Sequence, residues 1–110
     1  MSTAQSTVEY ILDQLTAIPN VSARKMFGEY ALYAGTKVVA LICDNIMFVK
    51  ITEAGKEFVG SKYAEGYAYE GAKVSMEISE DSIEDREWLT ELIEITALHL
   101  PEPKPKKKKR

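Results

Sequence analysis

The residue types that most often carry out catalysis are scarce in this sequence. It contains one histidine, His99, and one cysteine, Cys43, which lie far apart in the chain. It has no Gly-x-Ser-x-Gly, phosphate-loop or dinucleotide-binding glycine pattern, so no nucleophile has an evident base beside it. We therefore expect a protein that is not an enzyme and that binds no cofactor.

Asp81, Glu84 and Asp85 form a carboxylate cluster that could hold a cation. They precede an apolar helical repeat, however, and acidic residues are favoured at the positive end of a helix dipole. No His or Cys pair has the spacing of metal ligands. We expect no metal site. We also expect Cys43, which follows the apolar run 38–42, to be a small buried hydrophobic residue.

Three cations and three tyrosines are the candidates for a surface that binds another molecule. They are Arg24, Lys25, Lys50, Tyr63, Tyr67 and Tyr69. Tyrosines beside cations can stack nucleic-acid bases. Glu65 and Glu70 lie among the tyrosines and would repel phosphates, so packing over a sheet edge is the preferred interpretation. For Arg24 and Lys25, a solvated strand end or an ion pair is preferred to phosphate contact.

Charge is divided unevenly along the chain. Residues 101–110 contain six of its 14 basic residues and one of its 17 acidic residues, which leaves eight basic and sixteen acidic residues in 1–100. Prolines among the lysines prevent the last ten residues from forming a core. We expect one domain over 1–100 and a disordered basic tail over 101–110. Because an acidic body repels phosphates, contact with nucleic acid would come from the tail. The residues concerned are Lys106, Lys107, Lys108, Lys109 and Arg110.

The sequence shows no sign of a membrane or secreted protein. No apolar run approaches the roughly 20 residues that a membrane-spanning helix needs. The first ten residues, MSTAQSTVEY, are polar, whereas a secretion signal is basic and then apolar. We expect a cytoplasmic protein without membrane contact.

Changes in hydrophobic period give the order of elements. Apolar residues at helical spacing between Val8 and Leu15 predict a first helix, which Pro19 ends. The period then becomes two, and turn residues divide the next segment into three strands. A short helix at 53–59 follows, closed by Gly60. The strands are expected at about 24–33, 37–43 and 46–51.

The sequence after Gly60 predicts two strands and a long helix. Residues 61–79 combine glycines, tyrosines and alternating apolar positions, which indicates a second hairpin or two short strands. After Ser79 a long helix is expected, with an apolar stripe of Trp88, Leu89, Leu92, Ile93, Ile95 and Leu98. The order α-β(3)-α-β(2)-α predicts an α+β domain, with helices on one face of an antiparallel sheet.

Gly28 interrupts the first predicted strand. A glycine inside a strand usually marks a bulge or a close approach by another piece of backbone, so we expect one of these two at this position. Alternation through the strand gives the expected faces. Met26, Gly28, Tyr30 and Leu32 share one face, and Phe27, Glu29, Ala31 and Tyr33 share the other.

Residues 24–50 resemble the N-terminal domain of TfoX, or Sxy, a bacterial regulator of natural competence. The resemblance rests on Arg24, Met26, Phe27 and Gly28, the alternation from Tyr30 to Tyr33, the Asp44-Asn45 turn, and Phe48 to Lys50. It covers about residues 7–100. Glu29 and Ala31 stand where glycines are common in the family. The resemblance implies a secretion-chaperone-like fold.

The resemblance also implies a non-enzymatic interaction domain linked to bacterial transcription regulation. Full-length family members have a second, helical domain that resembles DNA-binding modules, and they act with the cyclic-AMP receptor protein; after Leu100 this sequence has the basic tail instead. We expect a protein partner, and homodimers formed through an open sheet face or edge. Two alternatives stay open: a weak nucleic-acid binder using the tail, and a small-molecule sensor with a pocket between sheet and long helix.

Overall fold

The computed structural model of this chain describes residues 3–26 and 29–101. At its centre is one antiparallel sheet of six strands. The strands are β1 Val21–Met26, β2 Glu29–Ala34, β3 Lys37–Cys43, β4 Ile46–Val49, β5 Glu65–Tyr67 and β6 Val74–Ile78. Their spatial order is β1-β2-β3-β4-β6-β5, with every neighbouring pair antiparallel. The predicted α+β class and antiparallel sheet are confirmed.

Helices cover one face of this sheet. They are α1 Gln5–Gln14, α2 Glu53–Val59, α3 Glu80–Glu84 and α4 Arg86–His99. Every buried apolar side chain of these helices belongs to one core cluster, shared with alternate residues of the strands. Its members in the centre of the sheet include Leu32, Ile42, Met47, Val49 and Met76. We call this side of the sheet the helix face.

The segment predicted as one strand over 24–33 is a hairpin, so the prediction of three strands before α2 is wrong. Arg24 lies opposite Ala31, and Met26 lies opposite Glu29. Only two residues separate these two alternating strands, and each strand has a period of two, so the pattern resembles one long strand.

The hairpin also changes the position expected for the glycine. Phe27 and Gly28 lie outside the described residues, between β1 and β2, so the bulge or close backbone approach expected at Gly28 stays a prediction. A register shift occurs instead in the pairing of β2 with β3, between Leu32 and Tyr33. Met26 lies on the face of its partner Glu29 and not on that of Tyr30, so its expected face is wrong.

The long helix predicted after Ser79 is two helices. Asp85 has an extended backbone between α3 and α4, and its Oδ1 accepts a hydrogen bond from the backbone N–H of Trp88 at 3.1 Å. Its side chain thus satisfies an N–H at the start of a helix, and this favours a new helix start over continuation. Ser79 caps α3 in the same way, through the N–H of Ser82.

Two other predictions concern the hairpin within residues 61–79 and the apolar stripe of α4. The predicted hairpin within 61–79 is confirmed as β5 and β6. The apolar stripe of α4 is partly wrong: Leu98 is 76% exposed, whereas Thr96 is fully buried and donates a hydrogen bond to the carbonyl of Leu92 at 2.8 Å. None of the helices in the described ranges combines the length and apolar character required to cross a membrane.

Candidate functional site

The strand side chains that point away from the helices form a second surface, which we call the open face. Alternation and the register of the strands assign its members. They are Ser22, Arg24, Met26, Glu29, Ala31, Tyr33, Val38, Leu41, Cys43, Ile46, Phe48, Lys50, Gly66, Ser75 and Glu77. All buried apolar side chains of the four described helices belong to the other side of the sheet. No described helix covers the open face.

A row of residues crosses the open face at right angles to the strands. Paired positions run from Arg24 on β1 through Ala31, Leu41 and Phe48 to Glu77 on β6. Ala31 and Phe48 are 0% and 6% exposed, and Leu41 is half-buried. Arg24 and Glu77 are exposed. The row is therefore apolar in its middle and carries opposite charges at its two ends.

A second row lies beside the first. Tyr33 on β2 pairs with Val38 on β3, and the backbone N–H of Lys50 donates to the carbonyl of Val39. The guanidinium carbon of Arg24 lies 5.4 Å from the centroid of the Tyr33 ring, within the range of a cation–π contact. This contact holds the cationic end of the first row close to an aromatic ring.

Gly66 makes room for the acidic end of the first row. A Cβ on Gly66 would lie 2.9 Å from Oε1 of Glu77 and 3.0 Å from Cε1 of Phe48. Both side chains therefore extend over β5, where they use the space that a larger residue would fill. Glycine at this position leaves room for the Glu77 carboxylate and the Phe48 ring.

The end of the open face near the β3–β4 turn is tied to the residues before α1. Oγ1 of Thr3 donates to Oε1 of Glu29 at 2.5 Å, and the backbone N–H of Asp44 donates to the same oxygen at 3.1 Å. The carboxylate of Glu29 thus has partners within the chain. For Glu77, the described residues provide neither a hydrogen bond nor an ion pair to its carboxylate, which leaves this acid available to another molecule.

Cys43 lies beside Glu29 on the open face and is 4% exposed, which confirms the expected buried position. Burial raises the pKa of its thiol above the ordinary value of 9.0, and the negative charges of Glu29 and Asp44 raise it further. His99 lies in the last turn of α4, its Nδ1 3.0 Å from the carbonyl oxygen of Ile95. The cysteine and the histidine are therefore on opposite sides of the sheet.

The cations predicted for the interaction surface divide between the two faces. Arg24 and Lys50 lie on the open face, whereas Lys25, the neighbour of Arg24, alternates to the other side of β1. Glu77 lies on the same face as Arg24 and Lys50. The cations therefore do not form a continuous positive patch.

The predicted tyrosines belong to neither row of the open face. Tyr63 packs against the helix-face core, and its hydroxyl donates to Oε2 of Glu65 at 2.6 Å. This hydrogen bond raises the pKa of the Tyr63 hydroxyl. Tyr67 and Tyr69 are 64% and 59% exposed, so the expectation that they pack over the sheet edge is wrong.

The sequence-based prediction missed Leu41, Phe48 and Glu77. The strands KVVALIC and IMFV are apolar on both faces, a pattern typical of strands covered on both sides. That continuous apolar pattern could have indicated a second surface on which the sheet is partly closed to water.

On the helix side, a shallow groove lies between the β2–β3 turn and the end of α4, with Ile18, Lys37 and Leu98 in its lining. Nζ of Lys37 donates to the carbonyl of Ala97 at 2.7 Å.

Within residues 3–26 and 29–101, every buried side-chain nitrogen or oxygen has a hydrogen-bond partner. The same residues hold no group of three or more His, Cys, Asp or Glu placed to bind a metal ion.

Comparison with known proteins identifies the family. The sequence matches the TfoX N-terminal domain over residues 13–99. It is also 39% identical over 109 residues to an uncharacterized 12.7 kDa protein in the trpE 5′ region of Spirochaeta aurantia, an alignment that covers 99% of this chain and 93% of the relative. The resemblance found from residues 24–50 is thus confirmed. The chain belongs to the TfoX N-terminal domain family.

Proposed function

We propose that this chain is a non-enzymatic protein-interaction domain that takes part in bacterial transcription regulation, and that its open face contacts the partner. The observation that carries the proposal is the open face, on which the half-buried apolar residues Val38, Leu41 and Ile46 lie among the exposed charges of Arg24, Lys50 and Glu77. Protein interfaces commonly combine an apolar core with a polar rim in this way. Membership of the TfoX N-terminal domain family supports the link to regulation.

The chemistry of the open face supports a protein partner more than a nucleic acid. Arg24 and Lys50 share the face with Glu77, and residues 1–100 carry twice as many acidic as basic residues. Phosphates bind where cations are concentrated. Binding of nucleic acid by the tail, whose Lys106–Arg110 lie outside the described residues, remains a separate hypothesis. Loss of DNA binding at moderate salt upon deletion of 101–110 would support it.

A small-molecule sensor has less support. The region between the sheet and α4 is filled by fully buried side chains, among them Leu89, Leu92 and Ile93. The groove near Lys37 is open to solvent and shallow, whereas small-molecule sites are usually enclosed pockets with several convergent polar groups.

Photocrosslinking in bacterial cells tests the proposed surface. A photoreactive phenylalanine analogue is placed at Ile46, which is half-buried on the open face, or at Glu91, which is exposed on α4. We expect crosslinked species from position 46 that disappear when Leu41→Asp is added, and none from position 91. Equal crosslinking from both positions, or none from position 46, would contradict the proposal.

Transcript profiling tests the regulatory part. A strain in which the gene is deleted is complemented with the wild type, with Leu41→Asp or with Leu98→Asp; the last is a matched control because Leu98 is exposed on the helix side. We expect Leu41→Asp to reproduce the transcript changes of the deletion and Leu98→Asp to restore the wild-type pattern. Circular dichroism of the purified variants verifies that both fold. A deletion that changes no transcripts would refute the regulatory role.

A further inference from the structure

The strand β1 forms one edge of the sheet. Within the described residues, β2 is its one strand neighbour. The backbone N–H of Gly35 donates to the carbonyl of Asn20 at 2.9 Å, immediately beyond the pairing of Val21 with Ala34. Bonded and non-bonded pairs alternate along an antiparallel ladder. Because Asn20 and Gly35 form a bonded pair, Val21 and Ala34 form a non-bonded one.

The same alternation decides which backbone groups of β1 face outward. Every second residue bonds to β2, beginning with Ser22. The N–H and C=O groups of Val21, Ala23 and Lys25 therefore point away from β2. In residues 3–26 and 29–101, no backbone or side-chain group bonds to them there. An edge with free N–H and C=O groups can pair with a further strand.

The side chains at this edge are apolar and basic. Val21 and Ala23 are half-buried and pack against the helix-face core. Lys25, on the same face, is exposed, and the described residues provide no ion pair or hydrogen bond for its Nζ. The guanidinium of Arg24 lies over the ring of Tyr33 on β2, away from the edge. Lys25 is therefore the cation that a strand at this edge would meet.

We infer that the outer edge of β1 binds an extended segment of a partner protein as a seventh, antiparallel strand. This segment carries an acidic residue opposite Lys25 and apolar residues opposite Ala23 and Val21. The backbone groups supply affinity, and the alternate side chains supply selectivity. The surface differs from the open face, so the inference goes beyond the proposed function and does not depend on it.

Segments of this chain fit the edge less well than an acidic segment of another protein. Residues 101–110 carry six basic residues and one acidic residue, which Lys25 would repel. A second copy of β1 would bring Arg24 and Lys25 of both chains together, and like charges across paired strands are unfavourable. The opposite edge, β5, has three residues, and its Glu65 already accepts a hydrogen bond from Tyr63.

Binding of a capped peptide, TETVTVT, to the purified full chain tests the inference. An antiparallel strand places its glutamate and two valines opposite Lys25, Ala23 and Val21. A short strand buries little surface, so we expect a dissociation constant of about 0.1 to 1 mM by NMR titration. At about ten times that concentration of peptide, amide exchange of Val21, Ala23 and Lys25 should slow about tenfold.

Two N-methylated peptides distinguish strand pairing from general attraction. Methylation of the first valine removes an N–H that faces β1 and should weaken binding about tenfold or more. Methylation of the threonine that follows changes an N–H that faces away from β1. This second peptide is the matched control, and its dissociation constant should stay within about threefold of that of the unmodified peptide.

Variants of the chain test the role of each side of the contact. Lys25→Glu should weaken binding of TETVTVT about tenfold and favour the peptide TKTVTVT instead. Lys73→Glu is the matched control, because it reverses an exposed charge that precedes β6 and should leave both affinities unchanged. Ala23→Pro removes an outward N–H that β2 does not use, as edge strands tolerate, and should abolish binding. NMR spectra of each variant verify that it is folded.

Several results would overturn the inference. No binding at about 5 mM peptide, or equal weakening by the two methylations, excludes strand addition. Unchanged affinity in Lys25→Glu excludes the preference for an acidic segment. Self-association of the wild type that Ala23→Pro abolishes assigns the edge to a second copy of the chain. None of these results bears on the open face, which crosslinking from Ile46 tests separately.

Discussion

The side-chain oxygen of Asn45, in the turn between β3 and β4, accepts a hydrogen bond from the backbone N–H of Ala4 at 2.8 Å. Ala4 is the N-cap residue of α1 and has no side chain able to accept such a bond. The hydroxyl of Thr7 donates to the same oxygen at 3.0 Å. A residue from the sheet thus supplies the cap of the first helix and joins the helix to the end of the open face.

Replacement of Asn45 should destabilise the fold in a graded way. Asn45 has a φ of 64°, which asparagine and glycine tolerate better than alanine. Asn45→Ala loses the cap and adds backbone strain, so we expect a loss of about 2 kcal/mol in the free energy of unfolding. Asn45→Gly loses the cap alone and should cost about half as much. Urea denaturation measures both.

Asn45→Asp is the control for this prediction. It retains an oxygen acceptor and tolerates positive φ, so its stability should lie within about 0.5 kcal/mol of the wild type. If Asn45→Ala proved as stable as the wild type, the cap that joins α1 to the turn would make no energetic contribution.

Asp85 provides a second test of capping, at the start of α4. Asp85→Ala removes the acceptor for the N–H of Trp88 and should lower the free energy of unfolding by about 1 kcal/mol. Glu84→Ala is the matched control, since it removes an exposed acid one residue earlier that is not the cap, and should change stability by less than about 0.5 kcal/mol. Similar losses in both variants would show that acidity near the helix start matters and that the cap does not.

The fold class could be predicted from the sequence because it depends on the spacing of apolar residues along the chain. Helical spacing in α1 and α4 and alternation in the strands are local patterns, and both survive in the structure. The division into β1 and β2 was missed because only two residues separate Met26 from Glu29 and each strand alternates on its own. Asp85 was missed as a helix start because acidic residues suit both the first turn of one helix and the cap of the next.

The candidate site was harder to predict because it depends on long-range pairing. Arg24, Leu41 and Glu77 form one row only through strand register, which no local pattern reveals. The tyrosines predicted for an interaction surface are divided: Tyr63 packs against the core, and Tyr67 is exposed at the β5 edge. Side-chain type suggested binding, but register decides which side chains share a face.

The stripe of α4 gives a third prediction, in which structure and sequence expectation differ. Leu98 is 76% exposed, so Leu98→Ser should change the free energy of unfolding by less than about 0.5 kcal/mol. Leu92 is fully buried, and Leu92→Ala should cost about 2 to 5 kcal/mol through the cavity it leaves. Thermal and urea unfolding of the two variants distinguish them. A large loss in Leu98→Ser would place Leu98 in the core, as the helical spacing predicted.

Cys43 makes stability depend on alkaline pH. Burial, followed by the charges of Glu29 and Asp44, raises its pKa in the folded chain above 9.0. Below the pKa of the unfolded chain both states hold the proton, and this residue causes no pH dependence. Above it the unfolded chain releases the proton while the folded chain retains it, so stability falls as pH rises, by up to about 1.4 kcal/mol per pH unit.

Comparison of the wild type with Cys43→Ala isolates this effect, because lysines and tyrosines titrate in both proteins. We expect the free energy of unfolding, measured by urea between about pH 8 and pH 10, to fall more steeply in the wild type. The difference between the two proteins should be constant below about pH 8, where the thiol is protonated in both states. Parallel curves over the whole range would mean that the thiol has the same pKa in the folded and unfolded chains, and that its burial beside Glu29 has no electrostatic consequence.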